Sequence, residues 1–318
     1  MMSSQKRVTI AIPSYNQPKH LRECLESIAR QTVVDKIEIM VFNDPSLADT
    51  EIRDVVESFF LRLPIVLMMG EERFYGAGNI LRAASYSYTT PYVMIFHHDD
   101  TMAPQYVETC LKLLDEHTNA AWVSSNFNFI TTGDMWKFPD IDPQCYEVYY
   151  DQADIVRAIL KNKNISFGPT LYRRDKMRPL VFNFKQFVQR FAPCGDRPLL
   201  ICAAHNSQAL FITQRLINYR RYAEQDSQTN RELTPARARA LMAYYKSFLP
   251  QPFIDSDRNL FFKFSTNNLL YGYSGLVQSD EDFQTYIKRA REEGLINFFY
   301  IRRAGIRALI VFLIKMFI

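Results

Sequence analysis

Short apolar runs alternate with amphipathic stretches through the first 130 positions of the chain. The runs Val8–Pro13, Lys36–Phe42, Ile65–Met69, Tyr92–Phe96 and Ala120–Phe127 are too short for buried helices and rich in β-branched and aromatic residues, which predicts strands. Between them lie helical patterns. Pro18 opens one that runs to about Gln31 and puts Leu21, Cys24, Leu25 and Ile28 on one face. Others span Asp49–Leu61, Gly76 to Tyr88, and Pro104–His117. Strands separated by helices predict βαβ units and an α/β fold around a mostly parallel sheet flanked by helices.

Three of the predicted strands end in polar clusters: Ser14-Tyr15-Asn16, Asn43-Asp44 and His97-His98-Asp99-Asp100. Parallel strands bring such ends to one edge, where open α/β sheets bind ligands. Asp99 and Asp100 are adjacent carboxylates at the end of an apolar strand, and burial without a counter-charge would be costly. A divalent cation bridging them to the phosphates of a substrate is the simplest chemistry that needs this arrangement. A solvated acidic turn, with Asp100 or Thr101 capping the next helix, fits this stretch equally.

Beyond Ile130 the pattern loosens. Thr131–Tyr150 reads as a loop or small subdomain with Trp136 and Tyr150 among its aromatics, Asp151–Lys163 as a helix, and Ile165–Tyr172 as a strand containing Gly168-Pro169. A helix follows Gly195-Asp196, then a strand over Ala209–Thr213 and the segment Tyr219-Arg220-Arg221-Tyr222. Past Glu224 the chain turns helical. Thr234-Pro235 starts one helix, and Ser279-x-x-Asp282 resembles a capping box for another that stops near Gly294.

Composition narrows the classes. An apolar content of 47% suits a packed globular protein, and a net charge of +4 does not point to nucleic acid. Five cysteines without paired spacing argue against a disulfide framework or a zinc site and suit a reducing, cytoplasmic compartment. The polar stretch Met1–Arg7 running straight into a strand predicts no signal peptide.

In order and spacing, these motifs resemble the family 2 glycosyltransferases, whose catalytic domain has the GT-A fold. The likeness runs from Val8 to Ser227. It rests on Val8–Asn16, on Ile37–Ser46 with its Asn43-Asp44-Pro45-Ser46 ending, on Phe96–Pro104 in the place of a metal motif, on Gly195-Asp196, and on Tyr219–Ser227. The chain departs from the family pattern where His97 replaces an Asp, Asn43 another Asp, Pro45 a Gly and Tyr222 a His; Ala77-Gly78-Asn79 stands for Ala-Arg-Asn.

The resemblance implies residues 1–227 as a GT-A domain, with 1–130 binding a nucleotide-sugar and 131–227 carrying acceptor and catalysis. Residues 228–318 would be a helical appendage. Pro13, Ser14, Tyr15, Asn43, Asp44, Asn79, His97 and His98 would then bind the nucleotide-sugar, although His98, on the other strand face, also reads as structural. Asp99, with His97 and Asp100, would hold Mn²⁺ or Mg²⁺, and imidazole would tilt the preference to manganese. Asp196 would be the general base of an inverting transfer, or a cap for the helix beginning Arg197-Pro198.

The acceptor would be a saccharide hydroxyl, lipid-linked as in bacterial lipopolysaccharide or O-antigen assembly. In the tail, Ala308–Ile314 falls far short of the ~20 apolar residues that span a bilayer. Arg302, Arg303, Arg307 and Lys315 lie opposite Phe298, Ile301, Leu309, Phe312 and Met316, as in a helix lying on anionic lipid at the inner face of the cytoplasmic membrane. A helix packed on the catalytic domain is the alternative. Two other functions stand beside the transferase: a catalytically silent membrane-bound partner of one, and a nucleotidyltransferase with a related sheet-edge site.

Overall fold

The computed structural model describes residues 5–131, 137–142, 144–191, 194–222, 234–275 and 282–301. Four parallel strands form one side of the sheet: β1 (Val8–Ser14), β2 (Ile37–Asn43), β3 (Ile65–Met69) and β4 (Tyr92–Ile95). All seven residues of β1 are buried, as a central strand covered on both faces requires. The helices between are α1 (Pro18–Ala29), α2 (Asp49–Glu57) and α3 (Tyr75–Ala84). The short strand β5 (Thr101–Met102) and α4 (Tyr106–Glu116) follow, then β6 (Ala120–Ile130).

The second half departs from the sequence pattern in four places. Thr131–Tyr150, read as irregular, contains β7 (Tyr146–Tyr149). After α5 (Gln152–Leu160), the strand expected over Ile165–Tyr172 shrinks to β8 (Leu171–Arg173). Pro169 has no N–H to give a ladder, and Gly168 is pressed against the His97 ring, where an added Cβ would lie 3.3 Å from three ring atoms. A helix that the pattern reading passed over, α6 (Met177–Phe191), buries Leu180, Phe184, Phe187 and Phe191 at helical spacing. Beyond α7 (Asp196–Ala203), the expected short strand and the Tyr219 segment merge into one strand, β9 (Gln208–Arg220).

Among the described residues the strand order is β3-β2-β1-β4-β8-β6-β9-β5, with β7 also on β9. The strand β8 runs antiparallel to both β4 and β6, and β9 parallel to β6. The chain continues through α8 (Pro235–Lys246), α9 (Asp255–Gly275) and α10 (Phe283–Glu292). Thr234 caps α8, accepting from the Arg237 amide at 3.3 Å. The α10 cap is Asp282, accepting from the Thr285 amide at 2.9 Å, whereas Ser279 lies outside the described residues.

The sheet separates two apolar layers. Val8, Ile10 and Ile12 pack with Leu21, Cys24 and Ile28 of α1, with α2 and with α4. On the other face, Ala11, Val93 and Ile95 pack with α3 and with α5 to α7. That layer continues without a break into Leu241 and Tyr245 of α8, Phe261 of α9, Tyr286 of α10 and Leu295. Arg157 of α5 adds a paired ion bridge to Asp257 of α9, at 2.9 Å to each oxygen. Among the described residues no helix is long and apolar enough to cross a membrane. The tail residues 302–318, Trp136 and the segment Ala223–Ser227 lie outside the described residues.

Candidate active site

Parallel register sets the strand ends side by side. Ser14 pairs with Asn43 and Asn43 with Met69, while the Phe96 amide donates to Ala11, so His97 and His98 run alongside the last residues of β1. The Asp44 amide donates to the Ser14 carbonyl at 2.9 Å. The start of α3 closes over this row. Asn79 is buried and its amide nitrogen donates to the carbonyls of Phe42 (2.8 Å) and Ser14 (3.2 Å), so its nitrogen is spent on holding β1 and β2 together. Asp44 accepts from the Phe74 amide at 3.0 Å, fixing the turn in which Tyr75 takes a positive φ of 61°. Burial raises the Asp44 carboxyl above its ordinary range despite those amide donors. The Arg73 guanidinium lies between the rings of Tyr15 and Tyr75, 4.0 and 4.4 Å from their centres.

His97, Asp99 and Asp100 converge, each offering a ligand atom within 4.8 Å of the others. His97 keeps 29% of its side chain exposed, and its Nδ1 stands 4.0 Å from an Asp100 oxygen. Burial lowers its proton affinity, while Asp99 and Asp196 act in the opposite sense. Asp100 is fully buried; one oxygen accepts from the Arg220 amide at 3.0 Å and the other has no hydrogen-bond partner. Desolvation, then repulsion from Asp99, pushes its carboxyl well above the usual range. A cation among these three would relieve that burial, so the donor set fits a divalent ion with mixed nitrogen and oxygen ligands. His98 faces differently: its Nδ1 meets the Pro13 carbonyl at 3.1 Å and ties the loop to β1.

Asp196 opens α7. The cap position falls on Gly195, and no side-chain hydrogen bond of Asp196 is found among the described residues. It is half-buried and acts electrostatically on His97 and Tyr172. Asp196 thus arrives from the α6–α7 layer, whereas Asp100 is gripped from the α1 layer through Arg220, which also bonds Glu23 and donates to the Asp99 carbonyl at 3.0 Å.

Among the described residues, most buried side-chain polar atoms that lack a hydrogen-bond partner gather at this edge: Ser14 Oγ, His20 Nδ1, Asn43 Oδ1, Asp44 Oδ1, Asn79 Oδ1, His97 Nε2, His98 Nε2 and Asp100 Oδ2. Buried polar groups are ordinarily bonded, so such a concentration marks a place where a polar ligand completes the structure. The sequence reading missed Glu23, Arg220, Arg73 and Gly168. A signal was present in and just beyond α1, where His20, Ser27 and Gln31 recur at helical spacing beside the apolar positions.

The model of glycosyl transferase family 2 matches residues 9–180, which run from the second residue of β1 past β8 and include the His97–Asp100 cluster. The chain belongs to this family. Among curated family relatives, glycosyltransferase GlyA of Streptococcus pneumoniae serotype 4 is 26% identical over 159 residues, 50% of this chain but only 22% of GlyA. Of solved structures, Staphylococcus aureus TarS 1-349 in complex with UDP-GlcNAc is 15% identical with a TM-score of 0.61, covering 90% of this chain and 80% of that one. The mannosyltransferase PcManGT of Pyrobaculum calidifontis, in complex with GDP-Man and Mn²⁺, reaches 0.52 at 15% identity over 98% and 87% of the two chains. These likenesses establish the fold as the mostly parallel α/β sheet of the GT-A glycosyltransferases.

Proposed function

We propose that the protein is an inverting glycosyltransferase that moves a hexosyl or deoxyhexosyl group from a nucleotide-sugar to a saccharide hydroxyl. The observation that carries this reading is the concentration of unpartnered buried polar atoms at the strand ends, beside the His97–Asp99–Asp100 cluster. Ser14, Tyr15, Asn43 and Asp44, with the Pro13 turn, receive the base and ribose. Asp99, His97 and Asp100 would hold Mn²⁺ or Mg²⁺, which would supply neutralisation of the diphosphate charge.

The two layers support single displacement. Asp196 stands on the α6–α7 side and the metal-binding loop is braced from the α1 side. The acceptor oxygen bonds the anomeric carbon as the bond to the diphosphate breaks, and Asp196 takes the hydroxyl proton. Residues 1–130 serve the donor, 131–227 the acceptor and the base, and 228–318 form the helical region. The basic residues Arg302, Arg303, Arg307 and Lys315 draw the chain to anionic lipid and so to a lipid-linked acceptor. The complexes of TarS with UDP-GlcNAc and of PcManGT with GDP-Man and Mn²⁺ agree with a nucleotide-sugar donor and a divalent ion.

Isothermal titration with UDP, GDP and CDP, with and without Mn²⁺, tests the reading. One diphosphate should bind, and more tightly with the metal. A catalytically silent partner would bind none. A screen of nucleotide-sugars for slow hydrolysis then identifies the donor.

A further inference from the structure

Helix α1 faces the metal loop with a polar seam. Gln31 donates to the Ala103 carbonyl at 2.7 Å and accepts from the Val107 amide at 3.0 Å. One turn back, Ser27 accepts from the Met102 amide at 3.3 Å. One further turn back, the Cys24 sulfur meets the His97 carbonyl at 3.7 Å, and Glu23 pairs with Arg220. Each seam residue therefore has a protein partner between His97 and Val107 or on β9. His20 continues the same stripe into the first turn of α1, and there the partners stop. Its side chain is 7% exposed, its Nδ1 is buried, and it makes no hydrogen bond among the described residues. The Tyr222 ring holds it from one side, 5.1 Å between centres. Its charged neighbours are Arg220, His98, Asp99 and Glu23.

We infer that His20 is a donor-binding residue whose imidazole N–H bonds a phosphate oxygen of the nucleotide diphosphate; this rests on the donor-site reading above. Three observations carry it. A buried imidazole without a partner is costly unless something polar completes it. The seam runs from the metal loop towards the strand ends, so the missing partner lies in the donor site. His98 and Asp99 of the metal loop are among the neighbours of His20, so its imidazole stands beside the loop that would hold the cation and its diphosphate. The first turn of α1 has no side-chain cap, so its amide dipoles favour the same negative charge.

The test compares a nucleoside diphosphate with its nucleoside. Titration of His20→Ala with the diphosphate that wild type binds, in the presence of Mn²⁺, should show affinity reduced roughly 10–100-fold, the usual weight of a hydrogen bond to a charged group. Binding of the phosphate-free nucleoside should be unchanged. His20→Gln keeps a donor of similar reach and should retain most of the affinity. In wild type, which needs no altered fold, the His20 ring ¹⁵N resonances should move on adding the diphosphate with Mg²⁺ and stay put with the nucleoside. Equal losses for nucleotide and nucleoside, full affinity in His20→Ala, or unmoved ¹⁵N resonances would each overturn the assignment while leaving the donor site standing. If wild type bound no nucleotide at all, both readings would fall.

Discussion

Asp196→Asn separates chemistry from architecture more cleanly than any other change in this chain. Gly195 is the cap of α7 and Asp196 makes no capping bond, so the substitution removes no hydrogen bond that holds the helix. What it removes is one negative charge in the first turn, worth about 0.3–1 kcal/mol against the helix dipole. Asn has nearly the same volume, and the site is half-buried, so no cavity forms. Loss of a general base, by contrast, lowers turnover by ~10²–10⁴, which is about 2.7–5.4 kcal/mol of barrier. The two effects differ several-fold in energy and fall on different assays. A thermal melt should shift by only a few degrees, and a diphosphate-binding isotherm should match wild type. Sugar transfer, followed by release of the nucleoside diphosphate, should fall by at least two orders of magnitude. Turnover within about threefold of wild type would remove Asp196 from the chemistry.

Asp99→Ala should abolish the Mn²⁺-dependent part of nucleotide binding, and full activity in EDTA would refute the metal role. Asp100→Ala should instead show first in stability, because it leaves the buried Arg220 amide without its acceptor, a loss of about 1–3 kcal/mol readable in a urea midpoint. Gly168→Ala should push the His97 ring by a few tenths of an ångström and weaken Mn²⁺ affinity with little change in melting; an unaltered metal isotherm would show that His97 is not a ligand. Truncation after Ile301 should leave the fold intact and abolish salt-sensitive sedimentation with anionic vesicles. Truncation before Leu295 should destabilise the domain as well, since Leu295 is fully buried and Asn297 bonds Thr266 at 3.0 Å; equal stability of the two truncations would refute this division.

The sequence by itself determined the first half of the fold and the place of the candidate site residues at its strand ends. Buried parallel strands such as β1 and β2 read as continuous apolar runs, and each ends where polar residues begin, because a strand that leaves the core must meet water or a ligand. Period and punctuation are local properties, so Ser14, Asn43, Asp44, His97 and Asp99 were legible at their strand ends. Pairing is not local. Nothing in Ile165–Tyr172 says that only Leu171–Arg173 joins the ladder, or that Gly168 yields its side-chain space to His97, seventy-one positions earlier in the chain. The roles of Arg220 and Glu23 were likewise out of reach. A buried guanidinium tying β9, the Asp99 carbonyl and α1 together depends on distances between segments that only the folded sheet brings side by side. The orphaned nitrogen of His20 was decided there too, because a missing partner becomes visible only once every neighbour is in place.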